Sequence, residues 1–177
     1  MTLFIFCDIT IKDFSLKALN IFSEKGLIME LISRSMIFSL LNTFDRNMKK
    51  EGWDRLKKDS RQTLGMFTAG LVNFFQEGES FLYGDKLENR ACEYSDLAGQ
   101  RHLEAMLRSQ KSIPAEWRTF CLVGIDTIWI DSSGDRRILC LCFNGQEWVL
   151  TPRSVELPFS SKRCRFVHVV KVFTLPS

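Results

Sequence analysis

The sequence predicts an α+β fold, in which N-terminal helices pack on a C-terminal antiparallel β-meander or small barrel of about five strands. Two observations lead to this prediction. Before Pro114 the apolar residues recur with the helical period of about 3.6, and after it they recur with the strand period of about 2. The turn sequences Ser132-Ser133-Gly134-Asp135 and Asn144-Gly145 then divide the second region into alternating apolar runs.

Composition indicates one globular domain. The chain has 177 residues, of which 45% are hydrophobic and 25% charged, and its 15 Phe and 4 Trp can build a core from a few large side chains. We assign this domain to residues 29–177, mainly helical over 29–111 and mainly β over 112–177. The formal net charge of +3 is too small to indicate nucleic-acid binding by itself.

Residues 1–28 allow two interpretations. Met29 begins a cleaner helical pattern than Met1, and Glu24-Lys25-Gly26 could be encoded by a purine-rich stretch resembling a bacterial ribosome-binding sequence. On this interpretation the segment is a translated leader, and the source is a bacterium or a mobile element. Alternatively, the segment is a short strand and helix that cover the core.

Three helices are predicted before Pro114. The first, within Met29 to Met48, has an apolar face made of Ile37, Leu40, Leu41, Phe44 and Met48. The second has an apolar face made of Leu64, Phe67, Leu71, Phe74 and Phe75. A turn or short helix around Gly52 separates them, and residues 76–85 are predicted as a loop. The third helix begins at Ser95 or Asp96 and ends near Gln110, because the following Ser-Ile-Pro prevents its continuation.

Five strands are predicted after Pro114. They are Thr119 to Val123, Thr127 to Asp131, Arg137 to Phe143, Glu147 to Leu150 and Arg165 to Phe173. The third is apolar on both faces, which predicts a strand in the middle of a covered sheet or in a closed barrel. Trp117, Trp129 and Trp148 are expected in the core, and an exposed stacking platform for nucleic acid is the alternative.

Cysteine usage indicates a reducing compartment. The chain has 6 Cys and no cationic start of the kind that export signals carry, so a cytoplasmic protein is expected. Cys140 and Cys142 share one strand face, and Cys121, Cys164 and His168 lie in neighbouring strands. The Cys-x2-Cys spacing of zinc knuckles is absent, so we predict no metal and no cofactor. No membrane association is predicted either, since the longest apolar-rich segment is shorter than the roughly 20 residues that a spanning helix needs.

Basic residues concentrate in two segments, Arg46 to Arg61 and the last part of the chain. If the fold places them on one side, they form a face that attracts phosphates, and if it separates them, they only solvate the surface. The predicted residues for binding nucleic acid or another partner are Lys49, Lys50, Arg55, Lys57, Lys58, Arg136, Arg137, Arg153, Lys162, Arg163 and Arg165.

Catalytic constellations are not recognisable in the sequence. His102 and His168 lie outside any nucleophile elbow, and neither a P-loop nor a Gly-x-Gly-x2-Gly turn is present. We therefore assign no catalytic residues and favour a small non-enzymatic binding or regulatory protein of a bacterium or mobile element. Its partner would be a protein or a nucleic acid, and the sequence leaves both the identity of that partner and the oligomeric state open.

The segment Leu97-Ala98-Gly99-Gln100-Arg101-His102-Leu103-Glu104-Ala105, continued by Ser112-Ile113-Pro114-Ala115, resembles the Gly-x-Arg-Arg box and following Ile-Pro of the ParB and sulfiredoxin superfamily. The resemblance implies a nucleotide phosphate at Gly99, Arg101 and His102, where a helix start offers backbone N–H groups. The alternative function is accordingly a nucleotide-binding hydrolase or nuclease.

Overall fold

The computed structural model describes residues 37–41, 43–59 and 65–173. The described residues form nine strands: β1 (Ile37–Leu40), β2 (Trp53–Asp59), β3 (Gly65–Val72), β4 (Phe81–Leu82), β5 (Cys121–Asp131), β6 (Arg136–Phe143), β7 (Trp148–Ser154), β8 (Phe159–Ser160) and β9 (Cys164–Phe173). They also form two α-helices, α1 (Gly84–Cys92) and α2 (Gln100–Arg108), and three short 3-10 helices, Met48–Glu51, Gln110–Ser112 and Ala115–Thr119. The predicted leader or covering segment, residues 1–28, lies outside the described residues.

The main sheet is a curled, mixed half-barrel with the strand order β1-β3-β9-β5-β6-β7. Its neighbouring strands are antiparallel except β5 and β9, which are parallel over Cys121 to Val123. Strand β5 then changes neighbour, because its second half, Thr127 to Asp131, pairs with β2 instead of β9. β4 and β8 form a separate two-stranded sheet.

Residues 96–98 fill the fork that opens where β5 separates from β9. The Val169 N–H donates to the Asp96 carbonyl at 2.7 Å, and the Ala98 N–H donates to the Val167 carbonyl at 2.8 Å. On the other side, the Asp126 N–H donates to the Ala98 carbonyl at 3.1 Å. The segment therefore bridges β9 and β5, and it delivers the chain directly to the start of α2.

Two apolar cores lie on the two faces of the sheet. The α2-side core packs Leu103 and Met106 against the strands and contains all four tryptophans, Trp53, Trp117, Trp129 and Trp148. The α1-side core packs Leu87 and Ala91 against the opposite face. Strand β6 supplies both cores, with Leu139 and Leu141 on the α2 side and Ile138 and Cys140 on the α1 side. The prediction of a central strand covered on both faces is confirmed, and so is the expectation that the tryptophans are buried.

The predicted fold class, N-terminal helices packed on a C-terminal antiparallel meander or small barrel, is wrong. The structure is mostly β, and no N-terminal helices pack on a C-terminal sheet within the described residues. The second predicted helix is β3, in which the alternating residues Phe67, Ala69 and Leu71 enter the α2-side core. Residues four apart, such as Phe67 and Leu71, lie on one face both in a helix and in a strand. The segment is a strand because it pairs with β1 and β9.

The other predicted helices also need correction. The described part of the first one contains β1, with Phe38 and Leu40 buried and Ile37 exposed in alternation, followed by the 3-10 helix Met48–Glu51. The predicted loop 76–85 ends in α1, whose first residue Gly84 has a positive φ of 57°. The third helix is confirmed as α2 but begins later than predicted, because residues 96–98 are engaged between β5 and β9.

In the C-terminal half both predicted turns are confirmed. Gly134 and Gly145 occupy them with φ of 87° and 100°, a conformation that favours glycine. The first two predicted strands are one strand, β5, and the fourth extends to Ser154 as β7. The meander is limited to β5, β6 and β7, because β9 crosses to the other side of β5. Neither described helix has the length and apolar character needed to cross a membrane.

Candidate functional site

Cationic side chains gather at the end of the sheet where β5 and β9 begin. The Cys121 N–H donates to the Arg163 carbonyl at 2.6 Å, which places residues 162–165 beside residues 118–121. Arg153 contributes from β7 and donates to the carbonyl of Pro158, shortly before this turn. We call this group the basic rim, and its members are Arg118, Arg153, Lys162, Arg163 and Arg165.

Aromatic rings hold three of the guanidinium groups in place. Arg118 lies 4.8 Å from the ring centroid of Phe143, Arg153 lies 4.4 Å from that of Phe159, and Arg165 lies 4.4 Å from that of Phe120. Arg165 also donates to the carbonyls of Ser161 and Cys164. Cation–π contacts of this kind fix the position of a guanidinium group while it keeps its charge. Three of the five cations of the basic rim are therefore held in place before any partner binds.

Two exposed aromatic side chains stand next to the basic rim. Phe81 and Tyr83 are 57% and 55% exposed, whereas Leu82 between them is buried. Strand β4, which carries Phe81, pairs with β8, and the Ser161 N–H donates to the Ser80 carbonyl at 2.9 Å. The hydrogen bond ties this aromatic pair to the turn that holds Lys162 and Arg163.

The other predicted basic residues are located elsewhere. Lys57 forms an ion pair with Glu88, Arg136 pairs with Asp85, Glu88 and Glu156, and Arg137 pairs with Asp131 and Asp135. Hydrogen bonding to Glu156 raises the pKa of Arg136 above its usual range. These three cations support the structure around α1 and the hairpin of β5 and β6.

Lys49 and Lys50 are exposed on the 3-10 helix that precedes β2. Strand β2 pairs with the far half of β5, about 20 to 33 Å along that strand from Cys121 at about 3.3 Å per residue. Arg55 and Lys58 belong to β2, and their side chains lie outside what the structure describes. Of the predicted binding residues, the structure thus brings together Arg153, Lys162, Arg163 and Arg165.

The start of α2 does not offer the open phosphate site that the ParB and sulfiredoxin resemblance implies. The Gly99 N–H donates to His102 Nδ1 at 3.2 Å, and the Gln100 N–H donates to Thr127 Oγ1 at 3.0 Å. His102 is 2% exposed and packs edge-on against Phe67. Arg101 lies over the ring of Phe44 at 4.5 Å. Side chains of the protein itself thus occupy the Gly99 and Gln100 N–H groups of this helix start.

A cleft of about 480 Å³ lies between α2, the chain at Asp45 and the start of β7. Its buried carboxylate, Glu104, accepts from the Asp45 N–H at 2.8 Å, the Arg46 N–H at 3.0 Å and Gln100 Nε2 at 2.8 Å. Burial raises the pKa of Glu104, while these hydrogen bonds oppose the increase. Because both oxygens are occupied, Glu104 anchors the chain before β2 to α2.

Four thiols lie on the α1 side of the sheet, close to the basic rim. Cys121 faces Cys142 across β5 and β6 and Cys164 across β5 and β9, while Cys140 faces Val123. His168, which was considered with them, instead forms an isolated bridge with Leu97. In the part of the chain that the structure describes, no group of three or more His, Cys, Asp or Glu is arranged to hold a metal ion.

Comparisons with family models, with curated proteins and with solved structures find no match to this chain. The candidate site therefore rests on geometry and charge alone. Sequence reasoning missed Arg118, Phe81 and Tyr83 as members of this region. Their signal is weak in the sequence, because Arg118 stacks on a ring from β6 and the aromatic pair approaches through β8, and both neighbours are distant along the chain.

Proposed function

We propose that this protein is a non-enzymatic binding protein that holds single-stranded nucleic acid at the basic rim and the adjacent aromatic pair, Phe81 and Tyr83. The observation that carries the proposal is the pairing of β4 with β8, which brings the exposed Phe81 next to the turn that carries Lys162 and Arg163. Cations neutralise phosphates and release counterions, and exposed aromatic rings stack on unpaired bases. Neither contact requires a catalytic group.

The distribution of ion pairs supports this choice of surface. Lys162 and Arg163 are exposed and take part in none of the ion pairs among the described residues, whereas Lys57, Arg136 and Arg137 are compensated by carboxylates. An uncompensated pair of cations keeps its attraction for a polyanion. The basic rim is therefore favoured over the α1 region as the binding surface.

Fluorescence anisotropy with labelled single-stranded oligonucleotides tests the proposal. Lys162→Glu combined with Arg163→Glu should weaken binding at least about tenfold, and the affinity of the unaltered protein should fall steeply as salt rises. The matched control is Lys49→Glu combined with Lys50→Glu, which reverses two adjacent exposed cations at the far end of β5. An equal loss in both double variants would show general electrostatic attraction instead of a site.

Stacking gives a second readout at the same surface. Phe81→Ala and Tyr83→Ala should each weaken binding about 5- to 100-fold, and that loss should persist at high salt because stacking on a base is less screened than phosphate contact. Leu157, 53% exposed, provides the control, since Leu157→Ala removes an exposed apolar side chain without a ring. If the affinity for the oligonucleotide changes neither with salt nor in Phe81→Ala and Tyr83→Ala, a protein partner would be favoured instead.

A further inference from the structure

Cys121 and Cys142 meet in the closest arrangement that an antiparallel sheet allows. The two residues are directly opposite each other in β5 and β6. The Cys121 N–H points toward β9, where it bonds to Arg163, so it points away from β6. The Asn144 N–H donates to the Glu147 carbonyl, so the backbone polar groups of Asn144 point toward the β7 side. Residues two apart in a strand direct their backbone polar groups to the same side, so those of Cys142 also point away from β5.

Cys121 and Cys142 therefore form a non-hydrogen-bonded pair. In such pairs the Cα atoms are about 4.5 Å apart and the side chains are closer than in the alternative pairs. A disulfide needs a Cα separation of about 4.4 to 6.8 Å, so a bond between the two sulfurs requires little movement of the backbone. Both side chains are half-buried, whereas Cys140 and Cys164 are buried, so a small reagent reaches this pair more readily than those two thiols.

The surroundings increase the acidity of the Cys142 thiol. The Cys121 thiol donates a hydrogen bond that lowers the pKa of Cys142, and Arg153 and the Thr151 hydroxyl also lower it, while burial and Cys164 oppose the decrease. Hydrogen bonds with Cys140, Cys142 and Cys164, of which the first is the largest cause, raise the pKa of Cys121. The single Cys121 proton can be donated to the buried Cys164 instead, and this alternative hydrogen bond lowers the pKa of Cys164 to about 7. A thiolate is the nucleophilic form of cysteine.

We propose that Cys121 and Cys142 are a peroxide-sensitive thiol pair that forms a reversible cross-strand disulfide beside the basic rim. The Cys142 thiolate attacks one oxygen of hydrogen peroxide, which forms an S–O bond, breaks the O–O bond and releases hydroxide. Cys142 is oxidised to a sulfenic acid by two electrons, and the peroxide is reduced. The released hydroxide removes the Cys121 proton, and the Cys121 thiolate attacks Cys142 sulfur. The S–S bond forms, and the sulfenic S–O bond breaks with release of hydroxide.

Mass spectrometry of the full chain treated with hydrogen peroxide tests this proposal. The expected result is a loss of two hydrogens per molecule, a linked peptide pair containing Cys121 and Cys142, and full reversal by dithiothreitol. In Cys121→Ser the disulfide should be absent and dimedone should trap a sulfenic acid at Cys142. Cys92→Ser is the matched control, because Cys92 is an exposed thiol on α1 whose removal should leave the linkage unchanged.

Several outcomes would overturn the proposal. Linkage of Cys121 only to Cys164, or oxidation confined to Cys92, would assign the chemistry to other thiols. Stoichiometric zinc in protein purified without chelator would show that the thiols are metal ligands. Unchanged thiols after peroxide treatment that fully oxidises Cys92 would show that the pair is structural.

Discussion

Glu104 is the residue that fixes the chain before β2 to α2. Glu104→Gln replaces one acceptor oxygen by a donating amide, so buried N–H donors from Asp45, Arg46 or Gln100 lose their acceptor. We expect a loss of about 1 to 3 kcal/mol in the free energy of unfolding, measured by urea titration. Glu51→Gln, which removes only an exposed partner of Arg46, should cost less than about 1 kcal/mol. Equal losses in the two variants would refute the anchoring role.

Gly99 is needed for a close approach to β5. Its φ of −112° suits any residue, so the cost of a side chain there is steric. An alanine Cβ would lie 2.2 Å from Thr127 Oγ1 and 3.1 Å from the Thr127 nitrogen. Gly99→Ala should therefore cost about 1 to 3 kcal/mol or more in the same assay. In a Thr127→Ala background the penalty should shrink, and a strictly additive double variant would contradict the steric explanation.

Single residues in the sequence thus indicate where the backbone is constrained, but they do not identify the residues that they contact. The third helix was predicted to begin at Ser95 or Asp96, whereas Gly99 precedes its first residue and is approached closely by Thr127. The identity of that neighbour depends on how β5 packs on α2. The spacing of residues within a local segment cannot identify that neighbour.

The hairpin of β5 and β6 depends on Asp131. Its Oδ1 accepts from the Ser133 and Asp135 N–H groups, and its Oδ2 accepts from Arg137 Nε at 2.7 Å. The Arg137 bond is the main cause of a lowered Asp131 pKa. Because the folded-state pKa is below the unfolded value of about 3.9, the stability from this carboxylate is present above that pH and is lost as pH falls through the folded-state pKa.

Asp131→Asn should lower the melting temperature at pH 7, and the difference from the unaltered protein should narrow as the pH falls below about 4. Thermal unfolding followed by circular dichroism between pH 3 and 7 measures this. The control is Asp135→Asn, because the Asp135 side chain is half exposed and contacts Arg137 only at 3.2 Å. A difference that stays constant over the pH range would mean that the Asp131 charge is irrelevant.

Elements were predictable where their determinants are local. The turns at Gly134 and Gly145 are specified by adjacent residues, and their prediction held. Strand β3 was mistaken for a helix because its identity depends on β9, whose Phe173 pairs with Met66 across most of the chain. Strand β5 was divided in two because nothing local shows that it remains extended while it changes neighbours.

At the scale of the whole molecule, two cores share one sheet, and they should unfold together. Leu87→Ala alters the α1-side core and Leu103→Ala alters the α2-side core, and each should cost about 2 to 5 kcal/mol. Because all four tryptophans lie in the α2-side core, their fluorescence should follow the same transition as far-ultraviolet circular dichroism in both variants. Separate transitions in Leu87→Ala would show that the cores are independent.

The basic rim was predictable only in part. The sequence identified Arg153, Lys162, Arg163 and Arg165 as candidates, but it grouped them with cations that the fold uses in ion pairs or places far away. Clusters of basic residues in the sequence show only which cations are close along the chain. Which of them share a surface depends on the crossing of β9 beside β5, which the predicted meander did not contain.

The fork at β5 has a consequence for the order in which the chain is made. The neighbours of β5 come from β2, from residues 96–98, from β6 and from β9, so its pairing spans nearly the whole described chain. During synthesis, β3 lacks one neighbour and β5 begins with an open edge until β9 has emerged. Open strand edges invite association with other chains. A chain truncated before Cys164 would therefore expose the edges of β3 and of the start of β5, and it would need chaperones or be degraded by proteases.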